Sequence, residues 1–269
     1  MIRTRRADRA RARPPWPLLP LAAVTVVFLV VPFLALLQRT PWTGLGELLG
    51  RPLVVDALRL SLLTSLAATT IALVFGIPLA WLLARQPFPG RSVIRALVLL
   101  PMVLPPVVGG AALLFAFGRR GLLGEPVYDQ TGFLLPYSTW GVIVANTFVA
   151  MPFLIITVEA GLRSMDRRYE DAAATLGASS WVVFRRITVP MVAPSIVAGA
   201  VLCWARALGE FGATVTFAGN LQGRTQTMPL AVFLALESGD RQAAIALSLL
   251  LIVVSLAVML PMRDRWLAV

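Results

Sequence analysis

The sequence contains no histidine, no lysine and a single cysteine, Cys203. Without histidine, a Ser-His-Asp triad and a His-ligated zinc site are both excluded. One cysteine permits neither an intrachain disulfide nor a cluster of thiolate metal ligands. Without lysine, the chain lacks the Gly-x-x-x-x-Gly-Lys phosphate loop of an ATPase. We therefore expect no catalytic, cofactor-binding or metal-binding residues in this chain.

Charge is also scarce. Charged residues make up 14% of the 269 residues, hydrophobic residues make up 58%, and the mean hydropathy is +0.81. Charge-free intervals occupy 14–38, 60–84, 96–118, 130–158, 187–205 and 242–262. Each is long enough to cross a bilayer as a helix, which takes about 20 residues, and the alternation typical of a barrel is absent. The sequence thus predicts an all-α polytopic membrane protein with about six transmembrane helices.

These helices are expected at 18–37, 57–84, 139–162, 191–217 and 243–261, with the third span beginning near Ile94. The first run follows an arginine-rich start, as a secretory signal peptide does. Its apolar core is too long for one, however, and Leu36-Leu37-Gln38 offers no small-residue cleavage site. We therefore expect a retained first helix.

All 24 basic residues are arginine, and with 13 acids they give a formal net charge of +11. Most of the arginines fall on one side of the membrane when the N-terminus is placed inside, which predicts that both termini are cytoplasmic. This placement explains the basic surplus by topology rather than by binding of nucleic acid. We expect a cytoplasmic segment at 1–17, a single transmembrane domain at 18–262 and a cytoplasmic tail at 263–269.

A polar segment at 163–190 interrupts the apolar runs. Asp166 is suited to cap a helix N-terminus, and Gly177 is suited to end that helix in a left-handed conformation. Ser179 is suited to cap a second short helix, which would carry one bulky apolar face. That face consists of Trp181, Phe184 and Ile187. On these features alone, the segment is equally well explained as an ordinary loop with an interfacial helix.

The spacing within this segment is more specific. Asp171-Ala172-Ala173 is followed after three residues by Gly177, after nine more by Ile187, and then by Val189-Pro190. This pattern resembles the EAA loop of binding-protein-dependent ABC importer permeases, with Asp in place of Glu and Val in place of Leu. The resemblance implies a type I importer permease fold and a loop that docks into an ATP-hydrolysing subunit. The residues expected at this contact are Glu170, Asp171, Ala172, Ala173, Leu176, Gly177, Trp181, Phe184 and Pro190. We call residues 163–190 the EAA loop.

Three spans carry residues that are unusual at membrane depth. The third span is rich in proline and glycine, which indicates either a broken helix beside a transport path or a packing kink. In the fourth span, Glu159 is placed to reach the interface. In the fifth, Arg206 and Glu210 are four residues apart and therefore share a helix face. They form either a structural ion pair or a positively charged site for an anion, with Glu210 orienting Arg206.

The stretch from Arg206 to Leu230 looks like the sulfate/molybdate branch of the same permease family and is closest to its molybdate members. It begins Arg-Ala-Leu-Gly-Glu-Phe-Gly and continues through Gly223-Arg-Thr-Gln-Thr-Met-Pro-Leu230. Its hydroxyls and amides are donors that suit an oxyanion which must be passed on rather than held. The candidate translocation path consists of Arg206, Glu210, Thr214, Thr216 and Asn220. Alternatively, this stretch is polar only because it is a solvated loop.

The resemblance implies a permease subunit of an ATP-driven molybdate importer in the bacterial plasma membrane. Expected partners are a second copy of the chain, two ATP-binding subunits, an extracytoplasmic molybdate-binding protein and the lipid bilayer. ATP and Mg²⁺ would be bound by the partner ATPase, with no cofactor in this chain. ATP binding would move the EAA loops and switch the pore between inward-facing and outward-facing states.

Other functions remain to be distinguished. Within the family, the cargo could instead be sulfate, tungstate or thiosulfate. A different class would be an ion-coupled carrier or channel, although no internal repeat of the kind common in secondary transporters stands out. A membrane enzyme fits least well, because no histidine, cysteine pair or carboxylate pair is placed for catalysis.

Overall fold

The computed structural model describes residue 16 and residues 18–260, and every regular element in this part of the chain is helical. The expected segments at 1–17 and 263–269 lie almost entirely outside the described residues, as does Pro261. A short 3₁₀ turn, Trp42–Gly44, follows the first helix. The α-helices are α1 (Leu18–Gln38), α2 (Leu45–Leu49), α3 (Pro52–Arg85), α4 (Arg91–Val103), α5 (Pro106–Phe117), α6 (Gly124–Thr131), α7 (Thr139–Ser164), α8 (Arg168–Thr175), α9 (Ser180–Val183), α10 (Val189–Leu208), α11 (Gly212–Phe217), α12 (Met228–Glu237) and α13 (Arg241–Met259).

Five helical segments are long and apolar enough to cross a membrane, and α4 with α5 adds a sixth if the pair counts as one span. Five predicted spans are therefore confirmed among the described residues, and the third is present as the bent pair α4 and α5. The second span begins earlier than expected, at Pro52, because proline fits the first turn of a helix, where no intrahelical N–H bond is lost.

The third span is broken. The axes of α4 and α5 differ by 118° across the break at Leu104 and Pro105. Leu104 is extended, with φ −67° and ψ 139°, as expected for a residue that precedes proline. Pro106 then occupies the first turn of α5. The consecutive prolines thus convert one predicted helix into two, which supports the broken-helix interpretation over a mild kink.

The centre of the bundle is formed by α3, α7 and α10. Small residues of α3, such as Ala68 and Ala72, are fully buried against larger ones such as Leu154 of α7. A Cβ atom added at Gly161 of α7 would collide with the Ser195 Oγ of α10. These helices approach so closely because small side chains line their contacts, which is the usual basis of helix association in lipid.

A second cluster joins α12 and α13 to the first turns of α3. Its buried side chains include Met228, Leu247 and Val54. The Met228 N–H donates to the Ser61 Oγ at 2.7 Å, so a serine of α3 satisfies the N-terminus of α12. We did not predict α12, because its 10 residues are too short for the span criterion used on the sequence.

The fifth span differs from the prediction at both ends. It runs as one helical segment from Ser180 to Leu208, through α9, a π-helical turn at Phe184–Thr188 and α10. It stops before Gly209 instead of continuing to Phe217. The expected helix over 191–217 is therefore wrong at its C-terminal end, where a separate helix, α11, begins at Gly212.

Smaller corrections concern the loops. The connection between α5 and α7 contains the helix α6. The sixth span begins at Arg241 rather than at Ala243. The preceding Asp240 caps it by accepting a hydrogen bond from the Ala243 N–H at 3.0 Å.

Candidate functional site

The EAA loop is built on a short helix that ends in a glycine. In α8, the Ala178 N–H donates to the Ala173 O at 3.1 Å, and the Gly177 N–H donates to the Ala174 O at 3.0 Å. This pair of bonds is a Schellman motif, which needs a left-handed residue after the helix. Gly177 supplies it with φ 83°. The predicted left-handed conformation is confirmed.

The start of α8 is also close to the prediction. The Asp166 Oδ1 accepts a hydrogen bond from the Arg168 N–H at 3.0 Å, so its carboxylate caps the helix from just outside the first turn. Glu170 and Asp171 lie in that first turn, where the helix dipole favours anions. Ser179 occupies the predicted cap position of α9, but its side chain makes no capping hydrogen bond. The second short helix is the beginning of the fifth span rather than a separate interfacial helix.

The predicted contact residues divide into exposed and inward-facing ones. Leu176 is 90% exposed and Trp181 is 66% exposed, which is unusual for such large apolar side chains. The other exposed members of the predicted set are Asp171, Ala172, Gly177 and Pro190, while Ala173 is half-buried. Sequence analysis missed Tyr169, a 57% exposed aromatic residue on α8. Its exposure follows from its position on α8 and could have been predicted from the helical spacing of that segment.

Two predicted contact residues face the protein itself. The Phe184 ring packs edge-to-face on Trp81 of α3 at 6.1 Å and stacks on Trp181 at 5.7 Å. The Glu170 Oε2 lies 3.0 Å from the Arg85 Nε, and the Glu170 Oε1 accepts a hydrogen bond from the Thr188 hydroxyl at 2.6 Å. Except for Trp181, these side chains line a cleft of about 300 Å³ between α3 and the EAA loop.

Arginines also gather around the end of α3 that lies beside the EAA loop, which we call the loop end of the bundle. Arg95 of α4 donates to the Leu83 O at 3.4 Å, and Arg167 donates to the Ala84 O at 3.3 Å. Guanidinium groups thereby satisfy carbonyls that the last helical turn leaves free.

The same end holds a buried carboxylate. The Glu159 Oε1 lies 2.6 Å from the Arg95 Nη2 and 2.8 Å from the Arg163 Nη2. The Glu159 side chain is only 9% exposed. Glu159 therefore does not extend into solvent but is held between two arginines. Its partner Arg95 lies 64 positions away in the sequence, on another helix.

At the far end of α10, about 30 Å from the EAA loop for a helix of this length, Arg206 and Glu210 form the predicted pair. The Arg206 Nη1 lies 2.6 Å from the Glu210 Oε2. The Glu210 Oε1 accepts a hydrogen bond from the Ala213 N–H at 2.7 Å and so caps α11. The Glu210 side chain is 1% exposed, whereas that of Arg206 is 28% exposed. Both carboxylate oxygens of Glu210 are therefore used in contacts within the protein, and of the two side chains only that of Arg206 is partly exposed to solvent.

The remaining candidate path residues lie in different surroundings. Thr214 is buried and donates to the Asn146 Oδ1 at 3.4 Å, and the Asn146 amide donates to the Thr64 hydroxyl at 3.3 Å. This chain of polar groups joins α11, α7 and α3. Thr216 is half-buried and donates to the Gly212 O. Asn220 is half-buried, and its buried Oδ1 has no hydrogen-bond partner among the described residues.

The polar stretch after α11 folds inward. Thr225, Gln226 and Thr227 are each 3% exposed or less. The Thr225 hydroxyl accepts a hydrogen bond from the Leu221 N–H at 2.8 Å and closes a tight loop. Solvation therefore does not explain why these three residues are polar.

The helical fold described above is shared with a solved transporter structure. A chain of the bacterial ABC transporter involved in the import of the acidic polysaccharide alginate has the same fold, with a TM-score of 0.69. The two chains are 20% identical, and the match covers 90% of this chain and 91% of the other. The protein therefore has the fold of an ABC importer permease, and it spans the membrane several times.

The family is established by sequence. Residues 76–263 match the family described as binding-protein-dependent transport system inner membrane component, and the chain belongs to that family. It is 46% identical to the Mycobacterium tuberculosis molybdenum transport system permease protein ModB over 254 residues, which is 94% of each chain. It is 36% identical to the Escherichia coli sulfate transport system permease protein CysT over 233 residues, covering 86% of this chain and 84% of the other. The resemblance inferred from the EAA loop is confirmed.

Proposed function

We propose that this protein is the permease subunit of an ATP-driven molybdate importer. The observation that carries the proposal is the 46% identity to a molybdenum transport permease over 94% of both chains. The lower identity to a sulfate permease, 36%, ranks sulfate second. The residues from Arg206 to Leu230 favour the same order, since their resemblance is to the molybdate members.

The proposed orientation puts the EAA loop and both termini in the cytoplasm. It is supported by the arginines at the loop end, which include Arg85, Arg95, Arg163 and Arg167. Arginine-rich ends of short loops remain on the cytoplasmic side of a membrane. The connection at 218–227 then lies on the outer side of the membrane, where its exposed residues 221–224 are accessible to the proposed extracytoplasmic binding protein.

The proposed energy source is a pair of ATPase subunits that bind ATP and Mg²⁺. Leu176 and Trp181 are the proposed apolar anchors, because each exposes most of a large side chain on the EAA loop. Asp171, which is exposed beside them, supplies a polar contact. A second copy of this chain completes the pore.

The proposed path for the anion passes Arg206. Its guanidinium is partly exposed, and Glu210 holds it at 2.6 Å while also capping α11. A positive charge at membrane depth attracts an oxyanion, and the carboxylate prevents the site from binding it too tightly to release. Thr216 and Asn220 are the nearest candidates in sequence to supply neutral contacts, whereas Thr214 is committed to the network with Asn146.

Uptake by proteoliposomes tests the proposed cargo. Vesicles would contain this chain with its ATPase subunits and binding protein, and labelled molybdate would be measured inside them. We expect ATP-dependent accumulation of molybdate. Excess tungstate should suppress it and excess sulfate should not, because molybdate and tungstate are nearly equal in size and charge. Accumulation of sulfate in preference to molybdate would replace the proposal with the sulfate alternative.

A further inference from the structure

The EAA loop and α3 lie far apart in the sequence, and no short segment of chain joins them. The loop joins α7 to α10, whereas α3 ends at Arg85, far earlier in the sequence. Nevertheless, α3 packs along both α7 and α10 in the centre of the bundle. A displacement of the loop can therefore reach the end of α3 directly only through side-chain contacts.

One carboxylate supplies the central contact. Glu170 of α8 uses one oxygen for Arg85 at the end of α3 and the other for Thr188 at the start of α10. The Arg85 side chain is 7% exposed and that of Glu170 is 16% exposed, so water screens the pair only weakly. A single side chain thereby connects three helices that meet at the loop end.

Two further contacts place the loop on the same turn of α3. Arg167 donates to the Ala84 O, and Phe184 packs against Trp81. All of these contacts fall within residues 81–85. The last turn of α3 is therefore the surface on which the loop rests.

The ion pair leaves bonding capacity unused in this conformation. The Arg85 Nε faces the carboxylate at 3.0 Å without an aligned hydrogen bond, and the buried Arg85 Nη2 has no partner among the described residues. An arginine and a carboxylate can form two parallel hydrogen bonds when their planes align. A small shift of α8 against α3 would thus strengthen the pair rather than break it.

The neighbouring acid has a different environment. Asp171 is exposed, and consecutive residues of a helix point about 100° apart. The acid that matches the Glu of the family motif lines the same cleft but remains exposed, whereas Glu170 is paired within its own chain.

We propose that Glu170 is a positioning residue that locks the EAA loop to the end of α3 through Arg85 and to α10 through Thr188. Movement that the ATPase imposes on the loop then carries α3 with it. Without these contacts, the loop moves but α3 does not move with it. This inference rests on the proposed function, because it assigns a role within ATP-driven transport.

A coupling ratio tests the proposal. Glu170→Gln and Arg85→Gln would be reconstituted with the partner proteins, and the molybdate transported per ATP hydrolysed would be measured. We expect both variants to assemble and hydrolyse ATP, with a ratio that falls by about tenfold or more, as for loss of a typical coupling energy. The exchange R85E with E170R restores the opposite charges and should recover much of the ratio. Arg120→Gln, which removes an exposed arginine outside the EAA loop, is the matched control and should leave the ratio unchanged.

A distance measurement separates this proposal from the assignment of cargo. Spin labels at Arg168→Cys and Gln86→Cys, in a Cys203→Ala background, report the distance between the loop and the end of α3. In the otherwise unchanged chain we expect this distance to stay constant when nucleotide binds the ATPase, and in Glu170→Gln we expect it to change. If the distance changes equally with and without Glu170, or if both Gln variants keep the full coupling ratio, the proposal is wrong. If the unchanged complex does not transport molybdate, only the assignment of the cargo is refuted. The distance measurement still tests whether Glu170 holds the loop to α3.

Discussion

The loop end of the bundle is held by arginines and carboxylates, whereas the far end relies mainly on hydroxyl and amide groups. At the loop end, Glu159 and Glu170 each join helices that are distant in sequence. At the far end, Thr214, Asn146 and Thr64 join three helices through neutral groups. Charge there adds the pair of Arg206 with the buried Glu210 and a more exposed pair of Arg51 with Asp240.

This difference follows the task proposed for each end. Charged pairs with little exposure resist separation, because parting them leaves a buried charge unpaired. They suit an end that must transmit a displacement. Neutral hydroxyls and amides hold helices without fixing an anion, which suits an end that an oxyanion must pass. The contrast is sharpest between Glu170, which we propose to transmit motion, and Glu210, which holds one partly open arginine.

The largest effect is expected from Glu210→Ala. The substitution removes the cap of α11 and the only carboxylate that pairs with Arg206 among the described contacts. We expect a loss of about 3–5 kcal/mol in the free energy of unfolding, which is typical when one partner of a buried pair is removed. Thermal unfolding in detergent measures it, with Glu237→Ala as the exposed-acid control. A stability equal to that of the control would show that the far end does not depend on this charge.

Arg206→Ala should abolish most uptake. Loss of a charge-assisted contact of about 1.5 kcal/mol or more corresponds to at least about a tenfold decrease. Arg206→Lys keeps the charge and should retain part of the uptake, while Arg59→Ala removes an exposed arginine of α3 and should retain it all. Molybdate uptake would be normalised to the amount of assembled complex. Normal uptake by Arg206→Ala would show that the pair of Arg206 and Glu210 has only a structural role.

Gly177→Leu should uncouple ATP hydrolysis from transport. A Cβ added at Gly177 meets nothing within 4 Å, so the cost comes from its φ of 83° and is about 1–2 kcal/mol. Gly239 provides a matched control, since it has φ 79° and equally open surroundings but lies outside the EAA loop. The two Leu variants should lose similar stability, and only Gly177→Leu should hydrolyse ATP without uptake. Normal transport by that variant would overturn the role assigned to the loop.

The smallest effect is expected from Asn146→Ala. Its amide bridges Thr64 and Thr214, and hydrogen bonds between membrane helices contribute about 1 kcal/mol. The unfolding free energy should fall by about that amount, with transport largely kept. A loss as large as that of Glu210→Ala would remove the contrast between neutral and charged contacts at the far end.

Local features were predictable from the sequence, and long-range pairings were not. The break at Pro105, the left-handed Gly177 and the shared face of Arg206 and Glu210 follow from rules that act within a few residues. The partners of Glu159 and Glu170 could not be found in this way, because Arg95 and Arg85 lie on helices brought together only by folding.

Helix ends show the same limit. The fifth span stops at Leu208 although apolar residues continue to Phe217, because Glu210 caps a new helix instead of lying within the old one. The helix α12 is stabilised by burial against α13 and by Ser61 of α3, neither of which is evident from its own short sequence.

The central claim is that ATP hydrolysed by a partner drives molybdate through this chain. The most direct test compares vesicles that contain the chain with both partner proteins and ATP against vesicles that contain the chain alone under an imposed ion gradient. The account predicts molybdate accumulation only in the first. Accumulation driven by the ion gradient in the chain alone would contradict it and would identify an ion-coupled carrier.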